Sequence, residues 1–260
     1  MTIWQTALND GVAVLTINNP PVNALSRAAV AELHDQLIAL ANAAERVGAV
    51  IITGFGEKAF VAGANIKEIN ALADRNDAQQ FGTAVLVLGK LMRTLPFAII
   101  AAVNGVAFGG GCELALMCDM RIASSTARLA LPEITLGLMP GWGGSVRVAR
   151  QAGASTALLM ALTGEPIGAD DALRLGLVDR VVAPAELLPV AQTLAARIAS
   201  MATPVIATIK ATIWAGVDLS LDDALMAECT TFATVVVASN AKEGTDAFLN
   251  KRAPRWDTRA

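Results

Sequence analysis

The stretch that decides the fold runs from residue 99 to 119, I-I-A-A-V-N-G-V-A-F-G-G-G-C-E-L-A-L-M-C-D, and is continued by R-L-A-L-P-E-I-T-L-G at 128–137. A β-branched apolar run (99–103) gives way to Asn104-Gly105. Three glycines follow, Gly109, Gly110 and Gly111, and then an apolar segment of helical character carries one carboxylate, Glu113. Twenty positions on, a second carboxylate, Glu133, stands among Leu131, Pro132, Ile134 and Leu136. An unpaired charge is costly to bury, so carboxylates in apolar sequence ask for a reason.

Outward from this stretch, a buried strand is expected at 49–53, followed by the loop K-A-F-V-A-G-A-N-I-K-E. Residues 49–64 and 98–111 are thus two units of strand followed by glycine-lined loop, a weak repeat that suggests stacked ββα modules. Strands are also expected at 12–17, 121–123 and 178–182. Ser26 reads as the N-cap of a helix carrying Val30, Leu33, Leu37 and Leu40 at helical spacing. Further helices are expected at 74–95, 145–152, 156–162 and 169–175, and from Pro184 to about residue 200. Ser220 and Asn240, each with an acidic residue three positions on, look like helix starts. These readings place an α/β core with the candidate site in residues 1–200 and a helical C-terminal region in 201–260.

A chain of 260 residues is long enough to bury a sizeable core. Its hydrophobic fraction of 54% against 17% charged excludes disorder, and the abundant Ala suits close helix packing and subunit contacts. The net charge of −3, without a basic cluster, argues against nucleic acid as a partner. No apolar run reaches the ~20 residues of a membrane span, and no signal peptide is visible. The three cysteines, Cys112, Cys118 and Cys229, form no disulfide framework and fit a reducing, cytoplasmic compartment. His34, the sole histidine, lies beside a helical stripe far in sequence from both glutamates, and reads as structural.

No Lys follows the glycine block as a P-loop requires, and the spacing misses the dinucleotide fingerprint. What remains is a tight turn into a helix, whose first N–H groups lack internal partners and favour negative charge. A developing oxyanion suits such a site; close packing is the plain alternative. The amide of Ala64, between Gly63 and Asn65, is a second candidate donor. Glu113 and Glu133 are candidates for divided acid and base work, because desolvation and mutual repulsion push such pKa values apart. Ordinary ion pairs with Arg121 or Arg147 are the structural alternative.

At these residues the sequence resembles the enoyl-CoA hydratase/isomerase (crotonase) superfamily. The matching pieces are N-A-L at 23–25, F-V-A-G-A-N-I-K-E at 60–68, A-A-V-N-G-V-A-F-G-G-G-C-E-L-A-L-M-C-D at 101–119, L-P-E-I-T-L-G-L-M-P-G-W-G-G at 131–144, L-T-G-E-P-I at 162–167 and E-G-T-D-A-F-L-N-K-R at 243–252. Six ordered matches are far more specific than any one alone, and they look most like bacterial enoyl-CoA hydratases. The resemblance implies a crotonase-like spiral of ββα units with a helical C-terminal trimerisation region, a homotrimer or homohexamer. It implies an acyl-CoA thioester substrate, with coenzyme A part of that substrate and no separate cofactor or metal.

The resemblance also assigns residues. The oxyanion donors are the N–H groups of Ala64 and Gly110, and the catalytic pair is Glu113 and Glu133. Ala24, Ala62, Asn65, Ile66, Lys67, Gly141 and Trp142 fall at substrate-lining positions, with Ala24 by the adenine and Lys67 toward the CoA phosphates. Having both glutamates favours hydration over double-bond isomerisation. A Δ3,Δ2-enoyl-CoA isomerase or other CoA-thioester lyase is the alternative among enzymes, and a regulatory or RNA-associated relative the alternative outside them. Two departures stand out: Asn65 where many members have Asp, and Trp142 where a small residue is common. The Trp142 ring is expected either to narrow the acyl pocket or to serve plain core packing.

Overall fold

The computed structural model describes residues 2–257. Its frame is a six-stranded sheet whose two central strands, β3 (Ala49–Gly54) and β5 (Ala98–Val103), are buried along their whole length. Continuous apolar runs are what parallel strands covered on both faces require. β3 pairs in parallel with β5, and Ile51 sits opposite Ile100. β1 (Trp4–Asn9), β2 (Val12–Ile17), β7 (Met120–Ser124) and β10 (Arg180–Val182) complete the order β1-β2-β3-β5-β7-β10. Among the described residues of this sheet, only the β1–β2 pair is antiparallel.

The expected repeat is realised by a second sheet of short strands. β4 (Ala59–Ala62), β6 (Val106–Phe108), β8 (Arg128–Ala130) and β9 (Ile167–Gly168) form it in that order. β3 leads to β4, β5 to β6 and β7 to β8, so each turn of the chain adds one strand to each sheet. Asn104 ties neighbouring turns together: its Oδ1 accepts Gly54 N–H at 3.0 Å and its Nδ2 donates to Gly56 O at 2.7 Å.

Alternation divides the large sheet's side chains. Ile51, Ile100, Ala102 and Ile122 face α8 (Leu187–Ala199), through Leu187, Ala191, Ala195 and Ala199. Val50, Ile52, Ile99, Ala101 and Val103 face the main core, which also takes in α1 (Arg27–Ala41), α3 (Arg75–Thr94) and α4 (Gly110–Met117). Each large side chain so buried contributes about 1.5–3 kcal/mol. α1 begins at Ser26, whose Oγ accepts Ala29 N–H at 3.1 Å, and α3 is capped by Asp74, which accepts Asp77 N–H at 2.9 Å. Helix α4 lies hard against β4: a Cβ on Gly111 would fall 1.9 Å from Val61 O. Close packing therefore accounts for at least this member of the glycine block.

The short helix α2 (Ile66–Asn70) follows β4, and α5 (Gly144–Ala152), α6 (Ala154–Thr163) and α7 (Ala169–Arg174) lead into β10. The helix expected from Pro184 opens as a 3-10 turn, Pro184–Glu186, before α8. α9 (Thr203–Gly216) packs on α3 and β5 and drives Lys210 into the core, whereas α10 (Leu221–Val235), capped by Ser220, buries no residue. α11 (Ser239–Leu249) begins one residue before Asn240. Asn240 is thus no cap, because its side chain is engaged elsewhere, pairing with the Asp257 backbone at 2.8 Å in both directions. Residues 258–260, the end of the expected helical region, lie outside the described residues.

Candidate active site

Helix α4 places Glu113 one turn from its N-terminus, where the side chain is only 2% exposed. The chain's turn at 140–144 supplies its partners. Trp142 N–H and Gly144 N–H both donate to Glu113 Oε1, at 2.7 and 2.8 Å. Among the described residues no arginine pairs with it: Arg121, one of the two expected alternatives, faces Asp179 at 3.5 Å and Cys118 O at 3.0 Å. Burial pushes the Glu113 carboxyl up to about 7; the Gly144 and Trp142 N–H groups oppose that, the charge of Glu133 adds to it, and Arg147 lowers it. A carboxyl balanced near neutrality exchanges protons readily at ordinary pH.

Glu133 stands on a 3-10 turn, Pro132–Leu136, that follows β8. Its Oε1 reaches the backbone where α4 begins, 2.7 Å from where a Cβ on Gly109 would stand. Its Oε2 is buried and has no hydrogen-bond partner among the described residues. Burial raises this carboxyl too. Buried polar atoms are nearly always paired, so an unpaired one marks a candidate working group.

Two main-chain amides converge on the same space. Gly109 caps α4 without any side-chain hydrogen bond, so Gly110 N–H is one of the helix's unclaimed donors. Ala64 N–H comes from the loop after β4, and it lies 3.4 Å from where a Cβ on Gly110 would stand. The flanking groups in that loop are occupied, since Leu25 N–H donates to Gly63 O at 2.9 Å and Asn65 N–H to Leu25 O at 2.7 Å. Neither Ala64 N–H nor Gly110 N–H has a protein acceptor among the described residues. A pair of fixed donors is what stabilises a developing oxyanion.

A cavity of about 460 Å³ joins these groups, within the range of small-molecule sites. Its wall includes Ala62, Ala64, Ile66, Gly110, Glu113, Glu133, Gly141 and Trp142. Residues 7–259 match the family model for enoyl-CoA hydratase/isomerase. The chain belongs to that family.

The enoyl-CoA hydratase/isomerase relatives agree over almost the full length. A crotonyl-CoA hydratase of Syntrophomonas wolfei is 41% identical over 242 residues, 93% of this chain and 92% of the relative. A short-chain-enoyl-CoA hydratase of Clostridium acetobutylicum matches with the same identity and coverage. Among solved structures, an enoyl-CoA hydratase from Bacillus anthracis superposes with a TM-score of 0.92 at 34% identity, covering 99% of this chain and 100% of that one.

Three expected substrate-lining residues stay off the cavity wall. Ala24 turns its carbonyl to Asn19 Nδ2 at 2.7 Å, Asn65 uses Oδ1 to cap α2 at Lys67 N–H, 3.1 Å away, and Lys67 is exposed. Trp142 takes part in core packing and borders the cavity as well. It is 5% exposed, and a Cβ on Gly110 would lie 2.4 Å from its ring. Sequence reasoning missed the wall formed by Ile69 on α2, Leu72 after it, and Ala78 and Phe81 on α3; Phe81 in particular reads only as one member of an ordinary apolar stripe.

Proposed function

We infer that the chain is an enoyl-CoA hydratase, a hydro-lyase that adds water reversibly across the C2=C3 bond of a trans-2-enoyl-CoA thioester. The observation that carries the reading is the convergence on one cavity of two amides without protein acceptors and two glutamates, one buried and one half-buried, neither paired with a cation among the described residues. In this reading the thioester oxygen accepts from Ala64 N–H and Gly110 N–H. Those donors hold the enolate-like charge that grows as C3 is attacked. Glu113, ionised, takes a proton from the water that adds to C3; Oε1 is fixed by Trp142 N–H and Gly144 N–H, which orients the group. Glu133 delivers a proton to C2. The product is the 3-hydroxyacyl-CoA, and each carboxyl exchanges its proton with solvent before the next turnover.

The polar and charged portion of the substrate is coenzyme A itself, and no further cofactor enters this scheme. Assembly as a trimer or a pair of trimers belongs to the same proposal. Support for it comes from α10, which leaves Leu221, Leu225, Met226 and Phe232 exposed; large apolar side chains left in the open along one helix suit an interface. The test of the activity is hydration of crotonyl-CoA set against isomerisation of a 3-enoyl-CoA. Hydration as the faster reaction supports the reading. Isomerisation with little hydration replaces it with an isomerase on the same site.

A further inference from the structure

The cavity that holds the two glutamates ends on a ring with a second cavity behind it. Phe81, on α3, is 7% exposed, and its ring centroid lies 5.3 Å from that of Trp142, tilted by 56°. From α1 the Arg27 guanidinium approaches the Phe81 ring at 5.0 Å, held in place by Asp77 at 2.6 Å. Beyond Phe81, between α1 and α3, is a solvent-open cavity of about 420 Å³ lined by Val30, Ala84 and Val85 and bordered by Arg27, His34 and Asp35. Among the described residues, Phe81 is the one that lines both spaces. The ring is therefore a partition between two largely apolar volumes, fixed by an aromatic neighbour and by a pinned cation.

We propose that Phe81 determines acyl-chain length: it closes the catalytic cavity to long chains, and the space behind it takes the distal methylenes once the ring is removed. The proposal rests on the reading of the site as an acyl-CoA cavity. Chain-length discrimination by an apolar wall is a matter of lost methylene burial and steric conflict, and a few methylenes suffice for tenfold effects or more. Trp142 is the poorer candidate for this partition, because it is packed against the oxyanion donors and its loss would disturb them.

The test measures two quantities for butyryl, octanoyl and dodecanoyl chains: binding of the saturated acyl-CoA by calorimetry, and kcat/KM for hydration of the matching 2-enoyl-CoA. The wild-type protein is expected to favour the four-carbon chain over the twelve-carbon one by at least about tenfold in both. Phe81→Ala is expected to raise the long-to-short ratio by about tenfold or more, and Phe81→Leu by less. Adding Ala84→Phe to Phe81→Ala refills the second cavity and returns the ratio toward wild type. Should Phe81→Ala not fold, Phe81→Leu carries the same reading. A folded Phe81 variant with the wild-type ratio overturns the proposal, as does a wild-type protein that binds dodecanoyl-CoA as tightly as butyryl-CoA. Length-selective binding without hydration of any chain leaves the partition standing and removes the hydratase reading; no acyl-CoA binding removes both.

Discussion

The two ends of helix α4 each bring a carboxylate into the interior, and the protein treats them in opposite ways. Just beyond its C-terminal end, Asp119 is saturated. Oδ2 accepts Ile99 N–H and Lys210 Nζ, both at 2.8 Å, and Oδ1 accepts Trp214 Nε1 at 2.9 Å. Lys210 in turn donates to Phe97 O at 3.0 Å. At the N-terminal end, Glu113 has two N–H donors on a single oxygen and no cation in contact among the described residues. The first arrangement clamps α9 to the sheet and leaves nothing free to react. The second holds a carboxyl in place while leaving its protonation balanced. Burial alone therefore does not make a working group; burial with incomplete pairing does.

The contrast breaks most visibly in rate. Glu113→Gln and Glu133→Gln are each expected to lower kcat for crotonyl-CoA hydration by about 10²–10⁴, with acyl-CoA binding retained. Near-wild-type turnover in either variant would remove that residue from the chemistry.

Lys210→Met tests the other end of α4. It leaves Asp119 buried without its cation, and unfolding free energy is expected to fall by about 3–5 kcal/mol. In the folded fraction kcat should stay within a few-fold of wild type, because the pair is structural. Denaturant titration and assay of the same sample separate the two effects.

The pH dependence of Glu113 sharpens the comparison. Its carboxyl is raised from 4.5 to about 7 in the folded protein. The folded state thus holds a proton that the unfolded state releases, and stability falls as pH climbs from about 4.5 to 7. The ionised, buried group costs about 3 kcal/mol above that window. Glu113→Gln removes the charge, so the variant is expected to be more stable than wild type at pH 8, with the advantage vanishing near pH 4. Hydration should run the opposite way, rising with pH through about 7 as Glu113 ionises. An unfolding curve for Glu113→Gln that parallels wild type at every pH would contradict this.

Much of the frame was legible because the sequence states it locally. The buried strands β3 and β5 are unbroken apolar runs, and Ser26, Asp74 and Ser220 cap helices through their own side chains. Glu113 and Glu133 stood out as charges in apolar surroundings. The short strands β4, β6 and β8 did not, since three or four residues carry no readable alternation and their partners are distant in sequence. Neither the roles of Ala64 and Gly110 as donors nor their proximity lies in side-chain chemistry; the family resemblance, not the residues alone, singled out those amides. Phe81 was hidden for a different reason. In sequence it is one member of the stripe Phe81, Val85, Leu88, Met92, and only the packing of α1 against α3 makes it a partition.

The central claim is that two amides from separate loops share one oxygen of the substrate. A crystal structure with bound butyryl-CoA tests it directly. The account predicts the thioester oxygen about 2.7–3.1 Å from both Ala64 N and Gly110 N, with the Glu113 and Glu133 carboxyls flanking C2 and C3. A thioester oxygen that meets neither amide, or an acyl chain lodged away from both glutamates, would contradict it.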